Sequence, residues 1–273
     1  MSPGPLTQSQ RSALVDTSLA LLLQEQPNGQ QLLDTVSAGD PGRRRLALRA
    51  LLAMRPAIPL SPELSCSLER LLSAEAAERE TLDAGDLPGA PLDPRLSLWR
   101  GDITTIRADA IVNAANSALL GCFQPLHACI DNAIHSAAGP WLRQECADIM
   151  AARGRPEPTG TATVTGGYHL PATHVIHTVG PIVQGEPTAE HEALLASSYR
   201  SCLLAAEDLG ASSIALCCIS TGVFGYPKAE AAAVAVRTVR ELLPRFQSLT
   251  KVVFNVFDPI DESIYRDLLD PDR

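Results

Sequence analysis

Lysine is almost missing from this chain: Lys228 and Lys251 are the only two among 22 basic residues, set against 31 acidic ones, for a net charge of −9 over 273 residues. That balance argues against a bulk electrostatic grip on nucleic acid, which needs clustered Lys and Arg. It leaves room for a small anionic ligand, because backbone N–H groups bind phosphate without any basic side chain. Long apolar runs are also missing. Nothing reaches the roughly 18 consecutive apolar residues of a membrane helix, and Leu19 to Leu23, flanked by Asp16 and Glu25, is too short and too acidic for a signal peptide. No G-x-G-x-x-G follows a strand pattern, which disfavours a dinucleotide oxidoreductase. The seven cysteines are odd in number and unevenly spaced, so they read as reduced thiols or metal ligands rather than a disulfide frame, and the expected compartment is the cytoplasm.

What is present is a globular composition, 45% apolar and 19% charged. Before residue 90 the apolar residues recur at helical spacing over Ala13 to Leu23, Arg44 to Met54 and Leu64 to Ala77, with Ser61-Pro62-Glu63 as a cap followed by proline at the first helical position. The segment from Asp83 to Pro94 is dense in Gly and Pro and reads as a linker. The expected organisation is a helical region over 1–82, a linker over 83–94 and an α/β domain over 95–273. In that domain, candidate strands are Leu96 to Trp99, Ala110 to Asn113, Thr161 to Thr165, Val175 to Val179, Ile214 to Ile219 and Val252 to Phe257. Candidate helices are Ala128 to Ala137, Trp141 to Ala152, Glu190 to Leu209, Lys228 to Leu243 and Asp261 to Leu269. Strands alternating with helices predict a sheet covered on both faces, and the unbroken apolar runs at Ile214 and Val252 fit strands buried on both sides.

Ligands of such sheets sit beyond the carboxyl ends of the strands. The loops there are Gly101-Asp102-Ile103-Thr104, Asn113-Ala114-Ala115-Asn116, Gly121 to Asn132, and Ser220 to Tyr226. Each alone fits ordinary turn chemistry. In order, together with Val175-Ile176-His177-Thr178-Val179-Gly180-Pro181, they resemble the macrodomain family over about Leu96 to Leu269. The resemblance implies a three-layer α/β/α sandwich with a mixed central sheet, preceded here by the small helical region, and ADP-ribose as ligand. It implies that Asp102 accepts a hydrogen bond from adenine and that Ile103 offers its backbone N–H, although Asp102 as a helix cap is the alternative. It implies that Ser220, Thr221, Gly222, Val223, Phe224 and Gly225 wrap the diphosphate, that Phe224 and Tyr226 wall the ribose, and that Phe257 stacks on adenine or sits in the core.

The loop after Asn116 departs from the common pattern. Cys122-x4-His127-x-Cys129, followed by Ile130-Asp131-Asn132-x-Ile134-His135, is similar to the zinc-dependent macrodomain branch, whose members are protein-ADP-ribose hydrolases. Two thiolates and an imidazole suit Zn²⁺, and three protein ligands with a vacant fourth position describe a catalytic site; buried small apolar cysteines are the alternative. The resemblance therefore implies one zinc ion per chain, Asn116 and Asp131 as catalytic residues, and Ile130, Asp131 and Asn132 beside the substrate, a mono-ADP-ribosylated protein. Asp131 as cap of the following helix stays open, and His135 reads as packing or as a support behind the ligand set. Cys66, Cys146, Cys202, Cys217 and Cys218 are expected in the core, and His169, His174, His177 and His191 show no ligand spacing. Two other readings stand beside hydrolysis of protein-linked ADP-ribose: a binding module with a structural zinc and no turnover, and hydrolysis of a small ADP-ribose ester.

Overall fold

The computed structural model describes residues 5–26 and 40–270. Its first helices are α1 (Gln8–Gln24), α2 (Pro41–Met54) and α3 (Pro62–Glu78). Thr7 and Gln10 form a reciprocal capping box on α1, and the Ser61 hydroxyl accepts from the Leu64 N–H at 3.2 Å to open α3, with Pro62 behind it. Their apolar stripes meet in a small core of Val15, Leu19, Leu22, Leu48, Leu64, Leu68 and Leu71, joined by Trp141 from the α/β body. Fully buried leucines of this kind each contribute about 2 kcal/mol, so the helical region holds to the body by burial at Trp141 as well as by the polar contacts described below.

The segment 83–94 is fastened along the α/β body. Strand β1 (Leu82–Asp83) pairs in parallel with β3 (Ile106–Arg107), and Ala84 is buried. The Ser97 hydroxyl donates to the Pro88 carbonyl at 2.8 Å, Lys251 Nζ donates to the Leu87 carbonyl at 2.6 Å, and the Leu92 N–H reaches the Leu269 carbonyl at 3.1 Å.

The main sheet contains β2 (Leu96–Arg100), β4 (Ala110–Ala114), β5 (Ala162–Gly166), β6 (His174–Thr178), β7 (Ser213–Leu216) and β8 (Lys251–Val256). Its order is β2-β8-β7-β4-β6-β5; every neighbouring pair is parallel except β5 with β6. Helices α4 (Ile130–Ala138) and α5 (Pro140–Arg153) pack on each other and against β4 and β5, while α6 (Ala189–Asp208), α7 (Lys228–Leu242) and α8 (Pro259–Leu269) pack on one another and the sheet. The result is a three-layer sandwich with a mixed central sheet. Strand β7 ends at Leu216, earlier than the apolar run to Ile219 suggests. Cys217 to Ser220 are already turning, with the Ile219 N–H on the Cys217 carbonyl at 3.0 Å and Ser220 at φ 67°. Cys146, Cys202 and Cys217 are buried, but Cys66 is exposed on α3 and Cys218 is half-buried, so the expectation of five core cysteines is corrected at these two. Among the described residues no helix is long and apolar enough to cross a membrane.

Candidate active site

The parallel strands deliver their carboxyl ends to one side of the sheet, and there a cleft of about 550 Å³ opens. One wall is the turn after β7. Ser220 sits in the left-handed region at φ 67°, only 5% exposed, and its buried hydroxyl has no hydrogen-bond partner. A non-glycine residue held there carries backbone strain, and its unpartnered hydroxyl packs towards Gly180 just beneath the cleft wall. The turn is tied from behind: the Tyr226 N–H reaches the Ser220 carbonyl at 3.0 Å, and the Val183 N–H reaches the Phe224 carbonyl at 2.8 Å. Gly225, at φ 70°, fits because a Cβ there would lie 2.8 Å from the Val183 carbonyl.

The opposite wall is the loop from Gly121 to Cys129. Asn116 donates from Nδ2 to the Gly121 carbonyl at 3.1 Å and accepts from the Ala118 N–H at 3.0 Å, while Asn132 donates to the Gln124 carbonyl at 2.8 Å. So pinned, the loop brings Cys122 Sγ to 3.5 Å from His127 Nδ1, and the donor atoms of Cys122, His127 and Cys129 all lie within 4.8 Å of one another. Cys129 is the N-cap of α4, with its sulfur accepting from the Asn132 N–H at 3.4 Å. Burial, with Cys122 and Asp131 close by, pushes its thiol up to about 11. A divalent cation between the sulfurs reverses that electrostatic sign, so the donor set fits a soft metal ion. The spacing is one that Zn²⁺ accepts with small adjustments of the side chains.

Asp131 lies inside the first turn of α4. It does not cap the helix; Cys129 does. Its Oδ1 accepts from Asn113 Nδ2 at 2.8 Å and lies 3.5 Å from His135 Nε2. Burial raises its carboxyl to about 6, moderated by the Asn113 hydrogen bond and by the Arg143 charge. Beneath it, burial holds His135 far below its ordinary value, with the neighbouring His177 and Arg143 charges adding to the effect. His177 is lowered to about 4 by burial. His135, Cys146 and His177 also form a buried donor cluster. Both His177 nitrogens are already engaged, Nδ1 with Asn113 at 3.1 Å and Nε2 with the Thr165 hydroxyl at 2.8 Å, so this cluster is a neutral polar support under the cleft floor.

Asn116, Cys122, His127, Cys129, Ile130, Asp131, Ser220, Thr221, Gly222, Val223 and Phe224 all line the cleft. Asp102, Ile103, Asn132, Gly225 and Tyr226 do not. The Asp102 carboxylate caps a short 3-10 turn, accepting from the Thr104 N–H at 2.9 Å and its hydroxyl at 2.8 Å, and Ile103 is buried. Asn132 is spent on the loop and on Ser136, and Tyr226 is buried in the core. The Gly101-Asp102 turn still touches the cleft through Asn255, which lines it and donates to the Gly101 carbonyl at 3.0 Å. Sequence reasoning missed Lys228, Asn255, Asp258 and Asp261 on the wall. Lys228 bonds to both Asp258 and Asp261, and its hydrogen bond is the main cause holding the Asp258 carboxyl down at about 2. Phe257, 80% exposed, stands on the same wall as a free ring and not as a core aromatic.

Comparison with known proteins gives this cleft a context. The Macro domain family model matches residues 112–235. A Treponema medium protein named protein-ADP-ribose hydrolase is 44% identical, over 97% of this chain and 100% of its own length. A Staphylococcus aureus protein of the same name is 46% identical over 82% of this chain and 84% of its own. A Trypanosoma brucei macrodomain solved in complex with ADP-ribose superposes with a TM-score of 0.64 at 31% identity, covering 81% of this chain and 94% of that one. Identity at this level along nearly the whole chain places it in the macrodomain family, among relatives that carry the hydrolase name.

Proposed function

We propose that this protein binds ADP-ribose in the cleft and hydrolyses mono-ADP-ribose from modified protein side chains, using a zinc ion held by Cys122, His127 and Cys129. The observation that carries the reading is the meeting of two features across one cavity: the strained turn with the unpartnered Ser220 hydroxyl, and the thiol–imidazole set with the buried Asp131 carboxyl behind it. Ser220 to Gly225 take the diphosphate with backbone N–H groups, the arrangement an acidic protein needs for a dianion. Phe257, with the Asn255-braced turn at Asp102 and Ile103, makes the adenine end. That leaves the distal ribose against the Cys122–Cys129 loop.

Cleavage breaks the bond between C1 of the distal ribose and the side-chain oxygen while water adds to C1, and the sugar passes through an oxocarbenium-like state. Held by Cys122, His127 and Cys129, a zinc ion would supply a positive charge for polarising a substrate oxygen, modest because two thiolates would already neutralise it. Asp131 orients the attacking water and receives its proton on a carboxylate oxygen, then passes that proton to the leaving side-chain oxygen as the protein is released and returns to its carboxylate form. Asn113 holds Asp131 in that orientation through the 2.8 Å bond to Oδ1. Asn116 fixes the loop at Gly121 and presents its remaining surface to the distal ribose. A donor group of three residues with no fourth among the described residues favours an open coordination position, hence turnover, over a closed structural staple. The free thiols of the described cysteines fit a reducing cytoplasm. The test is incubation with mono-ADP-ribosylated protein, with and without chelator. Zinc-dependent release of free ADP-ribose supports hydrolysis; tight binding with no release makes the protein a reader.

A further inference from the structure

We infer that Arg143 is the positioning residue of the metal-binding loop, and that the N-terminal helical region completes the active site through it; the inference rests on the proposal that Cys122, His127 and Cys129 hold zinc. Arg143 lies on α5, outside the cleft, and is 6% exposed. Its Nε donates to the Leu120 carbonyl at 2.7 Å, and its guanidinium lies over the Phe123 ring at 4.6 Å. The side chain therefore grips the chain on both sides of Cys122. Its Nη1 donates in the other direction, to the Leu52 carbonyl at 2.9 Å and the Arg55 carbonyl at 2.6 Å.

Those two carbonyls belong to the C-terminal end of α2 and its cap, where backbone oxygens have no partner within the helix and the helix dipole favours a cation. Arg143 thus caps a helix of the N-terminal region with one edge and holds the metal loop with the other. The planar guanidinium makes this possible, since its donors point in fixed, divergent directions. The far side is anchored as well. Arg55 is 5% exposed and forms a two-pronged pair with Glu25 at 2.8 and 2.9 Å, fixing the end of α2 to the end of α1. A continuous set of contacts runs from Glu25 through Arg55 and Arg143 to the Leu120 carbonyl and the Phe123 ring on either side of Cys122. Without the α2 carbonyls, Arg143 would be a buried cation short of acceptors and free to leave Leu120.

The test uses full-length protein and three variants: Arg143→Met, which keeps length and loses every donor; Arg143→Lys, which keeps the charge and loses the fork; and Glu25→Gln at the remote end. Amide hydrogen exchange of residues 120–128 is measured on metal-free protein, zinc loss to a chelator on loaded protein, and kcat, KM and the ADP-ribose Kd alongside. Arg143→Met is expected to speed loop exchange and to speed zinc loss by about ten- to a hundredfold. It should lower kcat while ADP-ribose affinity stays within about twofold. Arg143→Lys should fall between it and wild type. Glu25→Gln should speed exchange at the same loop amides more weakly. A folded Arg143→Met protein whose loop exchanges and holds zinc like wild type overturns the inference. If that variant does not fold, wild-type loop exchange in Glu25→Gln overturns it instead. Full turnover by metal-free wild-type protein would remove the catalytic role of zinc. The exchange comparison, made without metal, would still decide the role of Arg143.

Discussion

Gly180 follows β6 and faces the turn at Ser220, so replacing it by alanine tests whether that turn grips the diphosphate. A Cβ at this position would lie 2.1 Å from the Ser220 Oγ and 2.6 Å from the Ile219 Cγ2. Ile219 is fully buried, with its N–H bonded to the Tyr199 hydroxyl at 3.1 Å, so it has no room to withdraw. Ser220 can relieve the clash only by turning its hydroxyl away or by moving its backbone, and either shift disturbs the turn proposed to take the diphosphate. Overpacking of this kind costs about 1–3 kcal/mol. If most of that cost falls on the bound conformation, ADP-ribose affinity drops about ten- to a hundredfold at 1.4 kcal/mol per tenfold. Isothermal titration calorimetry with ADP-ribose, paired with urea unfolding, separates the two shares. Ser220→Ala is the companion. It removes a buried, unpartnered hydroxyl, so the folded protein should gain about 1 kcal/mol while ADP-ribose binding weakens. A Gly180→Ala protein that folds and binds ADP-ribose with wild-type affinity would refute the assignment of the diphosphate to this turn.

Further outcomes follow from other residues. Phe257→Ala should leave folding unchanged, because the ring is 80% exposed, and should cost about 1–3 kcal/mol of ADP-ribose binding if the ring stacks on adenine; equal Kd values would remove it from the site. Asp102→Ala should weaken ADP-ribose binding with little effect on the chemical step, read from single-turnover rates at saturating substrate, and an unchanged Kd would leave Asp102 only its capping role. For His177 the pH dependence is set by a folded value of about 4 against 6.5 for the unfolded chain. Between those values the unfolded state takes up a proton that the folded state refuses, so this group's contribution, complete above pH 6.5, is lost as the pH falls towards 4. A difference of this size is worth about 3 kcal/mol. Chemical unfolding of metal-free protein should therefore show a steeper loss of stability over that range than a His177→Gln variant does, and identical slopes would contradict a neutral, buried imidazole.

Strands and helices were legible because their residues are chosen locally: unbroken apolar runs at Ile214 and Val252, a Ser-Pro start at Ser61, and stripes at helical spacing in α1 to α3. The grouping of Cys122, His127 and Cys129 was legible for the same reason, with the three donors inside eight consecutive positions. Contacts created by tertiary folding left no local pattern. Lys228 meets Asp258 and Asp261 only because α7 and α8 begin at the same end of the sheet. His135, Cys146 and His177 come together from two helices and a strand. Arg143 looks like any other helical arginine until Leu52, Arg55 and Leu120 are folded around it. Strand β7 ends before Ile219 because Cys217 to Ile219 are apolar for packing under the turn, not for pairing in the sheet. The segment 83–94 reads as linker from its Gly and Pro content, and composition does not reveal that its carbonyls accept from Ser97 and Lys251.

The most direct test of the account is ADP-ribose release from a mono-ADP-ribosylated protein in a single turnover, measured as the bound zinc per chain is raised from none to one. Release in proportion to occupancy, lost in Cys129→Ser while ADP-ribose still binds, is the predicted result. Undiminished release from protein shown by metal analysis to hold no zinc would contradict it.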